Sequence, residues 1–516
     1  MEMTLSSILS TNASKFAHNE AIIFEDARAT FSQLNDRANQ RANALLALGV
    51  KRGDHVAILA TNCMELVESI YAVWRMGAVL VPLNIRLSPA ELIYIIDHSD
   101  ASTILFLNRF EDVINQIKPQ IKKVKRLISF GRNPSQGFMD LEAKLPGQST
   151  KEPPGEVKED EIATILYTAG TTGKPKGVVA THKNWVWMNI NAAAGRKDEP
   201  DMKSLTVYPL FHAGSIANLT GNIFNGTALI ILKEFDPQKM LEFIHKEKVN
   251  RLGNPPTVYN MILQQPDIDR YDVSSVRYLM SGSEVMPDET RNKLKKVFSK
   301  AGIIENYGMT ETCGGTTSRS EEYTASKPYS VGLPPVSIQV RVVDEQGGDV
   351  APGEVGEIIV RGPNVMQEYY KDPLKTAEAL RGGWLYTEDL GRFDEDGFLY
   401  IVERKKNMII SGGENIYPKE VEDILYRHPK IVEVAVYGAP DKVWGEKVCA
   451  AVVLKNEEQM TAEEVIEFSK KNLASFKKPK YIEFVDALPK SPIGKVLRTE
   501  LRKRLIDRES RKEAGE

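Results

Sequence analysis

Residues 168–177 read TAGTTGKPKG, a combination of residue types that suits one kind of ligand. Gly170, Gly173 and Gly177 let the backbone turn freely and bring its N–H groups close to an anion. Thr168, Thr171 and Thr172 add hydroxyl donors, and Lys174 and Lys176 add positive charge. The preceding run, residues 161–167, is rich in β-formers and predicts a buried strand. A loop of this composition after a strand is suited to polyphosphate. It is not a Walker A loop, which needs Gly, four residues, then Gly-Lys-Ser/Thr opening into a helix. Here Gly170 and Gly173 are too close, and Pro175 stands where the metal-binding hydroxyl belongs. The competing interpretation is a surface loop rich in Gly and Thr, for which both lysines and the strand are coincidence.

The elements that position this loop must come from a chain of 516 residues, longer than one core sustains, so two or more domains are expected. A hydrophobic fraction of 42% with 27% charged residues is that of a soluble globular protein. The net charge of −3 argues against nucleic acid as the main partner. Cys63, Cys313 and Cys449 are too scattered for a disulfide framework or a CxxC metal pattern, which predicts a reducing, cytoplasmic location. The N-terminus has neither a basic n-region nor a long apolar core. The most apolar stretch, residues 71–85, is interrupted by Arg75, Gly77 and Pro82, so membrane contact would be peripheral.

Strand-like and helical patterns alternate through the first half. Residues 55–60, 78–82, 102–107, 205–208, 228–232 and 276–280 read as strands; 90–97 and 288–298 carry helical periodicity. Such alternation predicts α/β layers with parallel pairing. Residues 337–343 and 357–361 alternate between Gly-rich turns and predict an antiparallel, β-rich module. Beyond the charged run 403–407 lies a pattern of helix (418–428), strands (432–437 and 448–454) and helix (462–473), enough for a small α+β domain. The predicted division is therefore 1–403, a connection at 404–407, and 408–516.

Six segments together resemble the adenylate-forming superfamily, which contains acyl-CoA synthetases, peptide-synthetase adenylation domains and luciferases. They are the loop 168–177, PLFHAG at 209–214, NYGMTE at 306–311, GWLYTED at 383–389, the stretch from Arg404 through SGGENIYP at 411–418, and PKSPIGK at 489–495. The resemblance covers nearly the whole chain in the family order, and its form is most similar to fatty-acid and related carboxylate–CoA ligases. It implies a large N-terminal adenylation domain with the ATP and acyl sites. It also implies a small mobile C-terminal domain carrying a catalytic lysine and the CoA tunnel. A carboxylate would attack the α-phosphate of ATP, releasing pyrophosphate; the C-terminal domain would rotate, and the thiol of CoA would attack the acyl-AMP.

The resemblance assigns Lys495 to the charge between carboxylate and phosphate, Glu311 to Mg²⁺, and Thr168 to the reacting phosphates. Gly170, Thr171, Thr172, Gly173, Lys174 and Lys176 would hold the leaving phosphates. Gly282, Ser283, Asn306, Tyr307, Gly308, Met309 and Thr310 would line the nucleotide site, with Tyr307 near adenine and Thr310 facing phosphate. Asp389 and Arg404 would hold the ribose, and Lys406 would be the hinge. Gly412, Gly413 and Trp444 would line the pantetheine tunnel, and Lys477 would attract CoA phosphates, although a solvated charge run is an equal alternative. His212 would stand at the entrance to the acyl pocket. None of the seven histidines has a partner at metal-ligand spacing.

Three positions depart from the family pattern: Ala169 replaces a serine, Glu388 a glycine before Asp389, and Asn306 a glycine before Tyr307. None removes a charged catalytic group. An amino-acid adenylation domain would carry an aspartate near Phe211 and His212, and a ligase that does not use CoA would carry an insertion after the hinge; neither is present. The pocket stretches 185–193, 212–219 and 281–285 contain one charged residue, Glu284, which favours an apolar tail. The expected substrate is a medium- or long-chain fatty acid, with an aryl acid of the benzoate or cinnamate type as the alternative. An acyl-adenylate-forming oxidase or carrier-protein ligase ranks lower. Lys118, Lys122, Lys123, Lys125 and Arg126 form either a solvated helix face or a contact for anionic lipid; a homodimer is left open.

Overall fold

The structure, a computed structural model, describes residues 2–131, 137–168, 174–195, 198–282, 286–412, 414–455, 457–490 and 496–513. The predicted site residues Gly170, Thr171, Thr172, Gly173, Ser283, Gly413 and Lys495, and the departure at Ala169, lie outside these. The chain divides into two units, 1–340 with 360–385, and 341–359 with 386–516.

The first unit is built on two eight-stranded sheets, as the alternating pattern predicts. One runs, edge to edge, through Thr317–Arg319, Gly302–Tyr307, Tyr278–Ser281, Arg251–Gly253, Lys203–Thr206, Ala228–Ile231, Glu20–Phe24 and Ala27–Thr30. Its interior pairs are parallel, and only the outermost pair at each end is antiparallel. The other runs through Glu368–Tyr369, Lys176–Thr181, Ile162–Thr168, Val79–Pro82, His55–Leu59, Thr103–Leu107, Arg126–Phe130 and Met139–Asp140. Helices cover the parallel strands and let them be apolar throughout; Val56, Ala57, Ile104, Leu105 and Phe106 are fully buried.

Two indoles fix the strand Ile162–Thr168. Trp74 Nε1 donates to the Ala163 carbonyl at 2.9 Å, and Trp185 Nε1 donates to Thr164 Oγ1 at 3.0 Å. Both rings are fully buried, so each brings its polar edge into the core already paired. Trp185 sits on the helix His182–Ala194, whose start is set by Thr181 and Asn184 in a reciprocal cap. The basic cluster at 118–126 is not a helix face. The helix Glu111–Ile117 stops before Pro119, and Arg126 already opens the next strand. Lys123 pairs with Asp97 and Asp100, and Lys118 lies over the Phe138 ring. Among the described residues, no helix is long and apolar enough to cross a membrane.

In the second unit, Leu399–Arg404 pairs antiparallel with Trp384–Phe393. A further sheet has the order Glu414–Ile416, Ile409–Ser411, Gly445–Leu454, Ile431–Asp441, with Tyr481–Phe484 parallel to Gly445–Leu454. The helices Pro418–Leu425, Ala462–Asn472 and Arg498–Glu513 complete the α+β pattern. The charged run 403–407 lies inside this unit. Lys405 Nζ is 3.0 Å from Glu357 Oε2, and Glu403 accepts from the Arg404 and Lys419 N–H groups and from Asn407 Nδ2.

Candidate active site

In the first unit, the Gly/Thr/Lys loop closes a β-hairpin. Thr168 pairs with Lys176 and Tyr167 with Gly177, so the chain leaves one strand and returns antiparallel on the next. A Walker A loop leaves a strand and enters a helix, and the topology therefore separates the two. Tyr94 donates to the Pro175 carbonyl at 3.3 Å, and the Tyr370 N–H donates to the Gly177 carbonyl at 2.7 Å. Each loop lysine sits over an aromatic face: Lys174 Nζ is 5.4 Å from the Tyr94 ring, and Lys176 Nζ is 4.3 Å from the Tyr369 ring. A ring holds an ammonium through its quadrupole without neutralising it. A carboxylate in the same place would compete with phosphate.

The strand Gly302–Tyr307 delivers the second set of predicted residues. Its last residue, Tyr307, pairs with Thr317, and Asn306 pairs with Ser318. At Gly308 a β-carbon would fall 2.4 Å from the Gly314 carbonyl oxygen, so only glycine lets the chain turn into Thr310–Thr312. Gly282 lies beside this strand end, its would-be β-carbon 3.3 Å from the Asn306 carbonyl oxygen. Glu311, in the short turn, is 6% exposed. Its Oε1 accepts from the Tyr369 hydroxyl at 2.8 Å, and its carbonyl accepts from the Met366 N–H at 2.8 Å. Asn364 Nδ2 ties down the same turn through the Thr312 and Gly315 carbonyls, at 2.9 and 2.7 Å. A single buried carboxylate suits Mg²⁺, which takes one or two carboxylates and fills its other positions with phosphate oxygens and water. Behind the strand, Glu305 joins Arg319 and Arg291, all three nearly excluded from solvent.

His212 caps the helix Ala213–Asn225, with its ring 4.5 Å from Phe211. Burial, with a smaller contribution from the Arg86 charge, pushes its pKa down to about 4. The imidazole is neutral at physiological pH, and its Nε2 is buried with no hydrogen-bond partner among the described residues. A neutral ring with a free nitrogen can position a substrate; it does not supply positive charge.

In the second unit, Asp389 and Arg404 face each other directly across two strands, with Arg404 Nε 3.1 Å from Asp389 Oδ1. Asp389 is 7% exposed and Arg404 38%, so the pair presents a fixed carboxylate and a reachable guanidinium. Glu388, the residue before it, has φ of 60°. This is the left-handed region in which glycine is unstrained, which explains why glycine suits the position. The Glu388 N–H donates to Glu357 Oε1 at 3.2 Å, and Thr387 Oγ1 donates to the Ile358 carbonyl at 2.7 Å, holding the strained residue in place.

Gly412 and Trp444, the two described residues assigned to the tunnel, are in contact. Gly412 has φ of 63°, its N–H donates to the Trp444 carbonyl at 2.8 Å, and a β-carbon on it would lie 2.6 Å from Trp444 Cε3. The indole is half exposed, and Lys480 Nζ lies 4.4 Å from its ring. Lys477 is otherwise engaged, 2.6 and 2.8 Å from the two Glu420 oxygens. Lys490 forms an isolated antiparallel bridge with Val496, and the Leu497 N–H donates to the Pro489 carbonyl at 2.8 Å. Sequence reasoning missed Tyr94, Tyr369 and Lys480. Each lies far along the chain from the residues it touches, and none has a local spacing that would single it out.

Comparison with known proteins gives the family. The family described as "AMP-binding enzyme" matches residues 9–370, and "AMP-binding enzyme C-terminal domain" matches residues 420–495. The chain belongs to this family, the adenylate-forming enzymes. It is 36% identical to the long-chain-fatty-acid–CoA ligase of Bacillus subtilis, over 98% of this chain and 95% of that protein. It is 35% identical to feruloyl-CoA synthase of an Amycolatopsis species, over 94% and 96% of the two chains. The solved structure of o-succinylbenzoate CoA synthetase from Bacillus subtilis, in complex with ATP and magnesium ion, superposes with a TM-score of 0.84 at 31% identity, covering 96% of this chain and 98% of that one. The protein is an AMP-forming acid–thiol ligase, a carboxylate–CoA ligase that uses ATP, Mg²⁺ and CoA.

Proposed function

We propose that the acid is a medium- or long-chain fatty acid. The observation that carries this reading is the character of the two helices on which the acyl pocket was predicted. The half-buried hydrophobic side chains that these helices, His182–Ala194 and Ala213–Asn225, pack against the main core include Ile190, Ala192, Ala213 and Ala217, aliphatic and mostly small. A β-carbon on Gly314 would lie 3.7 Å from Ala217 Cβ, so the loop after Glu311 runs along the start of the second helix. Stretches 185–193 and 212–219 carry no charge to meet a second carboxylate.

The residues divide the work as follows. Lys174 and Lys176 neutralise the phosphates that leave as pyrophosphate. Glu311 would hold Mg²⁺, which would supply further positive charge there. Lys495 stands between the incoming carboxylate and the α-phosphate. Opposite charges at about 4 Å gain roughly 4 kcal/mol at an effective dielectric near 20. Asp389 and Arg404 hold the ribose, Lys406 is the pivot, and the Gly412–Trp444 contact shapes the approach of the CoA thiol.

A second reading, an aryl acid with polar ring substituents, is favoured by one observation. Asn189 Nδ2, Ser215 Oγ and His212 Nε2 are buried without hydrogen-bond partners among the described residues. A ring hydroxyl or ether could satisfy them, and one relative is named for feruloyl-CoA. A pyrophosphate-release screen over acetate to palmitate, benzoate and cinnamates, with and without CoA, separates the readings. The fatty-acid reading expects kcat/KM to rise with chain length and exceed that for any aryl acid. A cinnamate above every fatty acid overturns it.

A further inference from the structure

Tyr369 touches two groups that the proposed function gives different tasks. Its ring lies under Lys176 at 4.3 Å, and its hydroxyl donates to Glu311 at 2.8 Å. It is 5% exposed and sits on the two-residue strand Glu368–Tyr369, which pairs with the hairpin strand at Val178. The Tyr369 N–H donates to Thr376 Oγ1 at 3.0 Å, so the backbone is fixed on this side as well. Val178, Met366 and Leu385 pack around the ring. The side chain has little freedom to do anything but bridge.

We propose that Tyr369 is a positioning residue that couples the metal carboxylate to the phosphate lysine. This rests on the assignment of Glu311 to Mg²⁺ and of Lys176 to the leaving phosphates. A phenol donating to an anion becomes richer in π-electron density, and a richer ring holds a cation more firmly. With Glu311 free, Tyr369 therefore keeps Lys176 parked over its face. With a metal held by Glu311, its carboxylate would have less charge to give the phenol, so the Tyr369 ring would hold the Lys176 ammonium less firmly and leave it free to meet phosphate. Because coupling between two binding events is reciprocal, phosphate bound at Lys176 strengthens the metal site by the same factor. A carboxylate in place of Tyr369 would hold Lys176 in both states.

The test uses the full chain with three substitutions, Tyr369→Phe, Tyr369→Leu and Glu311→Gln. Two affinities are measured by titration: Mn²⁺ for the enzyme–ATP complex, and pyrophosphate for the enzyme in EDTA. Tyr369→Phe keeps the ring and removes the hydroxyl; it weakens Mn²⁺ about 5–10-fold and leaves metal-free pyrophosphate within about 2-fold. Tyr369→Leu removes both contacts; it weakens Mn²⁺ likewise and, by freeing Lys176 from the ring, tightens metal-free pyrophosphate about 3–10-fold. A purely packing role would change the melting temperature and leave this split absent. If Glu311→Gln weakens Mn²⁺ while Tyr369→Phe does not, the coupling is wrong and the metal assignment stands. If Glu311→Gln leaves Mn²⁺ affinity unchanged, the metal assignment falls and the coupling with it. Equal effects of Phe and Leu on metal-free pyrophosphate also overturn the proposal.

Discussion

The Trp444 indole lies so close over Gly412 that a β-carbon there would fall 2.6 Å from its Cε3. The two residues therefore cannot change independently. Gly412→Ala must also bear the cost of a left-handed φ, roughly 1–2 kcal/mol. The expected outcome is a thioester step slowed about 10-fold or more, with adenylation within about 3-fold of normal. Pyrophosphate exchange and single-turnover transfer from preformed acyl-AMP measure the two steps separately. Adding Trp444→Ala should recover part of the loss; equal loss in both steps, unrelieved by the second substitution, contradicts a tunnel role.

Lys495 is expected to matter in the opposite half-reaction. Lys495→Ala should slow adenylation by ~10²-fold or more and largely spare thioester formation from acyl-AMP. A matched decrease in both steps would remove Lys495 from its assigned place.

Lys406→Pro tests the pivot. Fixing φ and removing the N–H should stall the enzyme in one conformation, so one half-reaction falls while the other persists. Unchanged rates of both steps would show that the chain turns elsewhere.

Glu388 offers a prediction about stability. At φ of 60° a glutamate is strained, whereas glycine is not. Glu388→Gly should leave stability unchanged or raise it by up to ~1 kcal/mol, the relief being offset by a freer unfolded chain. Glu388→Val, β-branched, should destabilise by more than ~1 kcal/mol. Urea unfolding of the three proteins decides; a marked loss with glycine would mean the side chain itself has a task.

His182 gives the protein an acid limit. It is fully buried, and burial pushes its pKa down to about 3. Between its unfolded value near 6.5 and about 3, the unfolded chain binds the extra proton. The stability from keeping this ring neutral is thus complete above pH 6.5 and declines as pH falls. His182→Gln should reduce the loss between pH 7 and pH 5 by about 2 kcal/mol. Parallel pH profiles for the two proteins would refute this.

Much of the site was legible because its chemistry is local. The strand before the phosphate loop, Asp389, Arg404, Glu311 and the Gly412 turn all sit in short runs that carry the family resemblance, from which their proposed uses come. What was not legible depends on pairing between distant segments. The tyrosines under Lys174 and Lys176 come from the helix Pro89–His98 and the strand Glu368–Tyr369, and no periodicity connects them to the loop. Glu388 could be seen as a departure, but the left-handed backbone that makes glycine common there needed coordinates. The basic run at 118–126 was expected as a helix face; Pro119 should have argued for the turn that is found. The charged run 403–407 was expected as the domain boundary; its side chains tie it to Glu357 and Lys419 within one unit.

An enzyme that makes an acyl-adenylate holds an acylating agent against its own surface. Cys63, Cys313 and Cys449 are all buried, and burial raises all three thiol pKa values, that of Cys449 to about 12. Cys313, two residues from Glu311, has no exposed surface. The thiolate is the nucleophile, so these side chains are chemically silent at neutral pH. The protein thereby spares itself from self-acylation and leaves the sulfur of CoA without a rival.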